Sequence, residues 1–118
     1  MTKLLIIDDN IEITKMLKEF MELSDFEVTV ENDGKNGLKL IETGNFDKII
    51  LDMAMPEFSG LDVLVNLKTR NFTDFNKITI LSASEIDDKI HDKIISYGIN
   101  GIAAKPIDMP DLIKKIQG

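Results

Sequence analysis

The chain has 118 residues, 43% of them hydrophobic and 30% charged, with a formal net charge of −7. That length suits one domain around one core, no apolar run is long enough to span a bilayer, and no signal-peptide pattern opens the chain. The absence of cysteine excludes disulfides and thiolate metal sites and fits a reducing, cytoplasmic setting, and the negative charge speaks against nucleic-acid binding by this domain, because phosphate backbones attract cations.

The first predicted strand is "KLLII" (3–7), closed by Asp8 and Asp9. Its apolar residues do not alternate, which suits a strand covered on both faces. A helical stripe of Ile13, Met16, Leu17, Phe20 and Met21 follows, then a strand "EVTV" (27–30) ending at Glu31 and Asn32. Leu38 and Ile41 mark a weaker second helix. "KIIL" (48–51) is the third strand, and it runs straight into Asp52. Leu61, Leu64 and Val65 mark a third helix, entered through Gly60, which serves either a close backbone approach or an ordinary turn. Phe72 and Phe75 sit among polar residues and are expected to lid the core at the end of the sheet far from the aspartates. "KITIL" (77–81) is the fourth strand, with Ser82, Ala83 and Ser84 after it. Ile86, Ile90, Ile94 and Ile95 mark the fourth helix, with His91 facing solvent, Tyr97 packing at its end and Gly98 stopping it. "GIAA" (101–104) is the fifth strand, followed by Lys105 and Pro106. Leu112, Ile113 and Ile116 define a last helix from about Met109 to Gln117, with Pro110 in its first turn.

Five strands alternating with five helices predict an α/β fold with a doubly wound, five-stranded parallel sheet. In such sheets ligands gather at the carboxyl ends of the strands. The residues there are Asp8, Asp9, Asp52, Ser82 and Lys105. Two unit charges 4 Å apart repel by about 4 kcal/mol at an effective dielectric of 20. One lysine neutralises one carboxylate, so a divalent cation is expected for the rest. Oxygen ligands without histidine or cysteine favour Mg²⁺. Mg²⁺, an ammonium and a hydroxyl together stabilise a transferring phosphoryl group, and a free carboxylate among them can be the nucleophile, forming an acyl phosphate. Helix capping by Asp8 or Asp9 accounts for one aspartate but not for three.

Four motifs in this order carry a resemblance: "DD" at 8–9, "LDMAMPEFSG" at 51–60, "LSAS" at 81–84 and "AKP" at 104–106. Over residues 1–118 the chain resembles a single receiver domain of a two-component response regulator, of the size of the single-domain chemotaxis regulator. The resemblance implies a flavodoxin-like strand order of 2-1-3-4-5. It implies that Asp52 is the phosphoacceptor, with Asp9, Asp52 and the Ala54 carbonyl as direct Mg²⁺ ligands and Asp8 acting through a bound water. Lys105 is expected to pair with Asp52 and then with a phosphoryl oxygen, and Ser82 to donate its hydroxyl to the phosphoryl group. Pro106 stands where the family often has a cis peptide bond. The implied partners are a sensor histidine kinase or phosphotransfer protein near the acidic site and first helix, and an output partner or second copy on the face of the fourth helix, fifth strand and fifth helix.

The chain departs from the family pattern in two respects. Ile102 stands where Tyr or Phe is usual, and a β-branched side chain cannot make the inward swing of a ring. The resemblance implies that Ala54 and Ser84 flank the path of an attacking water; both are small, which predicts a short-lived phosphorylated state. Two other functions fit the same polar residues. One is a Mg²⁺-dependent phosphohydrolase of the haloacid-dehalogenase type, which requires Asp-x-Asp after the first strand where this chain has Asp8-Asp9-Asn10. The other is a pseudo-receiver that binds without being phosphorylated.

Overall fold

A computed structural model describes residues 1–83 and 85–117. The strands are β1 (Thr2–Ile7), β2 (Phe26–Glu31), β3 (Lys48–Asp52), β4 (Ile78–Ser82) and β5 (Gly101–Ala104). The helices are α1 (Ile11–Leu23), α2 (Gly34–Thr43), α3 (Gly60–Thr69), α4 (Asp88–Ser96) and α5 (Met109–Gln117). All strand pairs are parallel, in the order β2-β1-β3-β4-β5, as the resemblance implied.

Strand alternation sorts the apolar residues into two cores. Leu5, Ile7, Ile49, Leu51, Ile78 and Ile80 pack with α2, α3 and α4. Leu4, Ile6, Ile50 and Leu81 pack with α1 and α5 through Leu17, Met21, Leu112 and Ile116. Burial on both faces explains why the strand runs are uninterrupted.

The helices start where local chemistry satisfies their free N–H groups. The Asn10 side chain accepts from the Ile13 N–H at 3.1 Å at the start of α1. Asp33 does the same for α2, accepting from Asn36. Ser59 and Asp62 form a reciprocal capping box at α3. Gly98, at φ +89°, follows α4 in the left-handed conformation that glycine adopts without strain.

The structure corrects the expected faces of three helices. On α1, Leu17 and Met21 are fully buried, but Met16 and Phe20 are exposed, because the buried face is centred on Thr14, Leu17 and Met21. On α3, Val63, Leu64 and Leu67 carry the burial, and Val65 is only half-buried. On α4, Ile94 is buried and Ile95 exposed, while Ile86 precedes the helix. Two strand ends also shift: Asp52 and Ser82 are the last residues of β3 and β4 rather than the first of the loops, since Asp52 pairs with Leu81 and Ser82 with Ala104. Lys77 closes a short 3₁₀ turn (Phe75–Lys77) that leads into β4.

The expected aromatic lid is present. Phe75 is buried at the amino end of β4, edge-on to Phe72 at 5.0 Å and tilted against Tyr97 at 5.3 Å.

Candidate functional site

The carboxyl ends of β1, β3, β4 and β5 bring together the polar residues singled out in the sequence. Asp8 is fully buried and Asp52 is 3% exposed, while Asp9 lies open to solvent. One carboxylate oxygen from each lies within 4.8 Å of the others. Lys105, on the turn after β5, bridges two of them: its Nζ donates to Asp8 Oδ2 at 2.9 Å and sits 3.2 Å from Asp52 Oδ1. The sequence reading paired Lys105 with Asp52 alone. The structure makes Asp8 the nearer partner, because β1 and β3 are adjacent and end at the same level.

Backbone contacts fix this arrangement. The Lys105 N–H donates to the Ser82 carbonyl at 2.8 Å, and the Met53 N–H donates to the Leu81 carbonyl at 2.9 Å. Ser82 is nearly buried, and Ala54 lies exposed two residues beyond Asp52. The Lys105–Pro106 peptide bond is cis. Ser84, the other residue expected beside the path of water, lies outside the described residues. Gly60 serves a close approach: a Cβ there would lie 2.3 Å from the Asp52 carbonyl oxygen. Only glycine lets α3 begin so near the backbone that carries Asp52.

Asn32 was not singled out as a site residue. Its Nδ2 donates to the Asp8 carbonyl at 2.8 Å and to the Thr14 hydroxyl at 3.0 Å. It thereby ties the loop after β2 to the acidic turn and to α1. The available signal was its place just past a strand on the same sheet edge.

Burial pushes the Asp52 carboxyl above its usual 3.8, and the Asp8 charge pushes it further; the Lys105 hydrogen bond and charge oppose this, and the Asp9 charge adds to the rise. Burial works against the Lys105 ammonium, but hydrogen bonds to Asp8 and Asp52, with their charges, hold its pKa above 10.5. Three carboxylates around one ammonium leave excess negative charge at a largely buried place. An octahedral Mg²⁺ with bonds of about 2.1 Å places opposite ligands about 4.2 Å apart, close to the size of this oxygen cluster. The donor set therefore fits a hard divalent cation.

A family model described as the response regulator receiver domain matches residues 4–117. The transcriptional regulatory protein CpxR of Escherichia coli K12 is 32% identical over 117 residues, covering 99% of this chain and 48% of CpxR. The response regulator ArlR of Staphylococcus saprophyticus is 29% identical over 117 residues, 99% of this chain and 51% of ArlR. The chain thus spans about half the length of these curated relatives. Among solved structures, a Francisella response regulator receiver domain superposes with a TM-score of 0.87 at 30% identity, covering 99% of this chain and 94% of that one. The response regulator TrrA of Thermotoga maritima, solved in complex with Mg²⁺ and BeF, gives 0.82 at 27% identity, covering 99% and 97%. Nothing among these findings favours the phosphohydrolase or the pseudo-receiver.

Proposed function

The chain belongs to the response regulator receiver domain family, and from that premise we propose that Asp52 is its phosphoacceptor. The donor is a phosphohistidine on a sensor histidine kinase or phosphotransfer protein. An Asp52 carboxylate oxygen attacks phosphorus, the P–N bond to the donor imidazole breaks, and the departing nitrogen takes a proton. Asp8, Asp9, Asp52 and the Ala54 carbonyl would hold Mg²⁺, which when bound neutralises charge on the phosphoryl oxygens. Lys105 already stands between Asp8 and Asp52, and its ammonium is placed to follow the new charge onto a phosphoryl oxygen. The Ser82 hydroxyl donates to the phosphoryl group. The observation that carries this reading is a buried Asp52 held 3.2 Å from Lys105 inside a cluster of three carboxylates at one sheet edge.

The kinase side is supported by α1. Ile13, Met16, Phe20 and Leu23 recur at three- and four-residue intervals, and the last three are exposed. Such spacing suits packing against a second helix. No described helix is long and apolar enough to cross a membrane, and together with the cysteine-free composition we place the reaction in the cytoplasm.

Incubation with acetyl phosphate and Mg²⁺, read by intact mass and by mapping of the modified residue, tests the proposal. The expected result is about one phosphoryl group per chain on Asp52, lost without Mg²⁺. Catalytic release of phosphate from substrates, or no modification at all, would overturn it.

A further inference from the structure

Asp8 and Asp9 are neighbours held in opposite ways. Every polar atom of Asp8 has a partner. Its N–H donates to the Glu31 carbonyl at 3.1 Å. Its Oδ1 accepts from the Asn10 N–H at 2.9 Å, and its Oδ2 accepts from Lys105 Nζ at 2.9 Å. Its carbonyl accepts from Asn32 Nδ2 at 2.8 Å. Asp9 is exposed, and among the described residues no hydrogen bond or ion pair holds its carboxylate. Yet one of its oxygens lies within 4.8 Å of oxygens of Asp8 and Asp52. Its aim therefore comes from its backbone.

The peptide group joining Asp8 to Asp9 is planar. The Asp8 carbonyl lies in that plane, so a bond to its oxygen restricts rotation of the whole unit and places the Asp9 Cα. Asn32 supplies that bond. Strand register brings it there: Ile7 pairs with Glu31, so the next residues, Asp8 and Asn32, leave the sheet side by side. Asn32 is itself held from two sides. Its backbone N–H donates to Glu31 Oε2 at 2.9 Å. Its amide nitrogen also donates to the Thr14 hydroxyl at 3.0 Å, on the buried side of α1. That hydroxyl donates in turn to the Ile11 carbonyl at 3.1 Å. A short side-chain amide carries two donors on one nitrogen, which matches these two acceptors. Aspartate would set an oxygen against the Asp8 carbonyl, and serine could serve only one of the two.

We propose that Asn32 is a positioning residue of the metal site: by holding the Asp8 carbonyl it sets the Asp8–Asp9 peptide and keeps the exposed Asp9 carboxylate within the cluster that binds Mg²⁺. The inference rests on the proposed function for the metal. It gives β2, which carries none of the proposed ligands, a part in binding the ion. Losing such an outer contact typically costs roughly 10–100-fold in metal affinity.

Calorimetric titration of metal-free protein with Mg²⁺, on samples shown to be folded by circular dichroism, is the test. Asn32→Ala and Asn32→Leu, the second close to asparagine in size, should both weaken Mg²⁺ by about tenfold. Asn32 is half-buried, so water can reach the freed acceptors and both variants should fold. Thr14→Val removes the other acceptor of the same amide and leaves the Asp8 bond. It should lower stability in urea titrations while changing Mg²⁺ affinity by less than about twofold. Native affinity in the Asn32 variants would overturn the inference. So would equal losses in Asn32→Ala and Thr14→Val, which would make Asn32 a packing residue of α1. Acetyl phosphate labelling separates the two readings. A native chain that binds Mg²⁺ and is labelled on Asp52, with Asn32 variants that bind the ion equally well, sinks only the positioning role. A native chain that binds Mg²⁺ without being labelled, with weakened Asn32 variants, sinks only the phosphoacceptor. A native chain that ignores Mg²⁺ sinks both.

Discussion

At the carboxyl ends of the strands, Asp8 and Asp52 are buried as charges around Lys105; at the amino end of β4, Phe72, Phe75 and Tyr97 pack ring against ring. The aromatic end gains free energy from every apolar surface it covers. The acidic end works against the fold, since removing charges from water costs several kcal/mol per ion before pairing. The two are joined by β3 and β4, whose residues are almost all buried. The contrast teaches that this chain keeps its proposed phosphoacceptor in an unfavourable place by anchoring it to strands stabilised elsewhere. Substitutions at the two ends should therefore separate chemistry from stability.

The largest separation is expected from Asp52→Asn. It should abolish labelling by acetyl phosphate completely, read by intact mass. Phe75→Ala should leave Asp52 labelled at temperatures where the variant stays folded. That same Phe75→Ala change should lower unfolding free energy by about 3–5 kcal/mol in urea titrations, as loss of a buried ring does. A stability loss at Phe75 no larger than at an exposed residue would break the comparison from its apolar side.

Lys105→Met comes next. It leaves the carboxylates of Asp8 and Asp52 without their cation, and should cost about 2 kcal/mol at neutral pH without metal. Added Mg²⁺ should recover most of this if the carboxylates hold the ion. The native chain should lose the Lys105 contribution at alkaline pH. The folded pKa of that group is raised above 10.5, so its stabilisation is complete below 10.5 and fades as pH rises through the raised value. Lys105→Met should lack that alkaline component in a pH series of thermal melts.

The smallest effect has the opposite sign. Asp52 ionises at a higher pH in the fold than its usual 3.8. The folded state therefore binds this proton more tightly, and stability falls as pH rises from 3.8 through the raised value. Above that window, without metal, Asp52→Asn should be more stable than the native chain. The gain should shrink towards zero as pH approaches 3.8 and reverse when Mg²⁺ is added to the native chain. A variant less stable than the native chain at neutral pH without metal would show that Lys105 outweighs the burial of Asp52.

Several parts of this molecule were legible from residue order. Non-alternating runs such as "LLII" and "KIIL" marked strands covered on both faces, and a charged or hydroxyl residue at the end of four of them marked the functional edge. Asp8, Asp9, Asp52, Ser82 and Lys105 all lie there. Helix faces were read less well. Met16 and Phe20 have the spacing and chemistry of core residues, yet both are exposed, because periodicity defines a stripe without saying how far the sheet extends over it. Asn32, though visible at the end of the second strand, was given no role, because its importance lies in two hydrogen bonds to groups far away in the chain.

The sequence by itself determined the layered α/β plan and the set of polar residues at one sheet edge, since both follow from local periodicity and from what ends each strand. Only the tertiary structure decided that Lys105 bridges Asp8 and Asp52, that Gly60 must lack a side chain beside the Asp52 carbonyl, and that Asn32 reaches the Asp8 carbonyl. Those depend on distances between segments up to 97 residues apart, and such distances are fixed by how helices and strands pack, which no local pattern encodes.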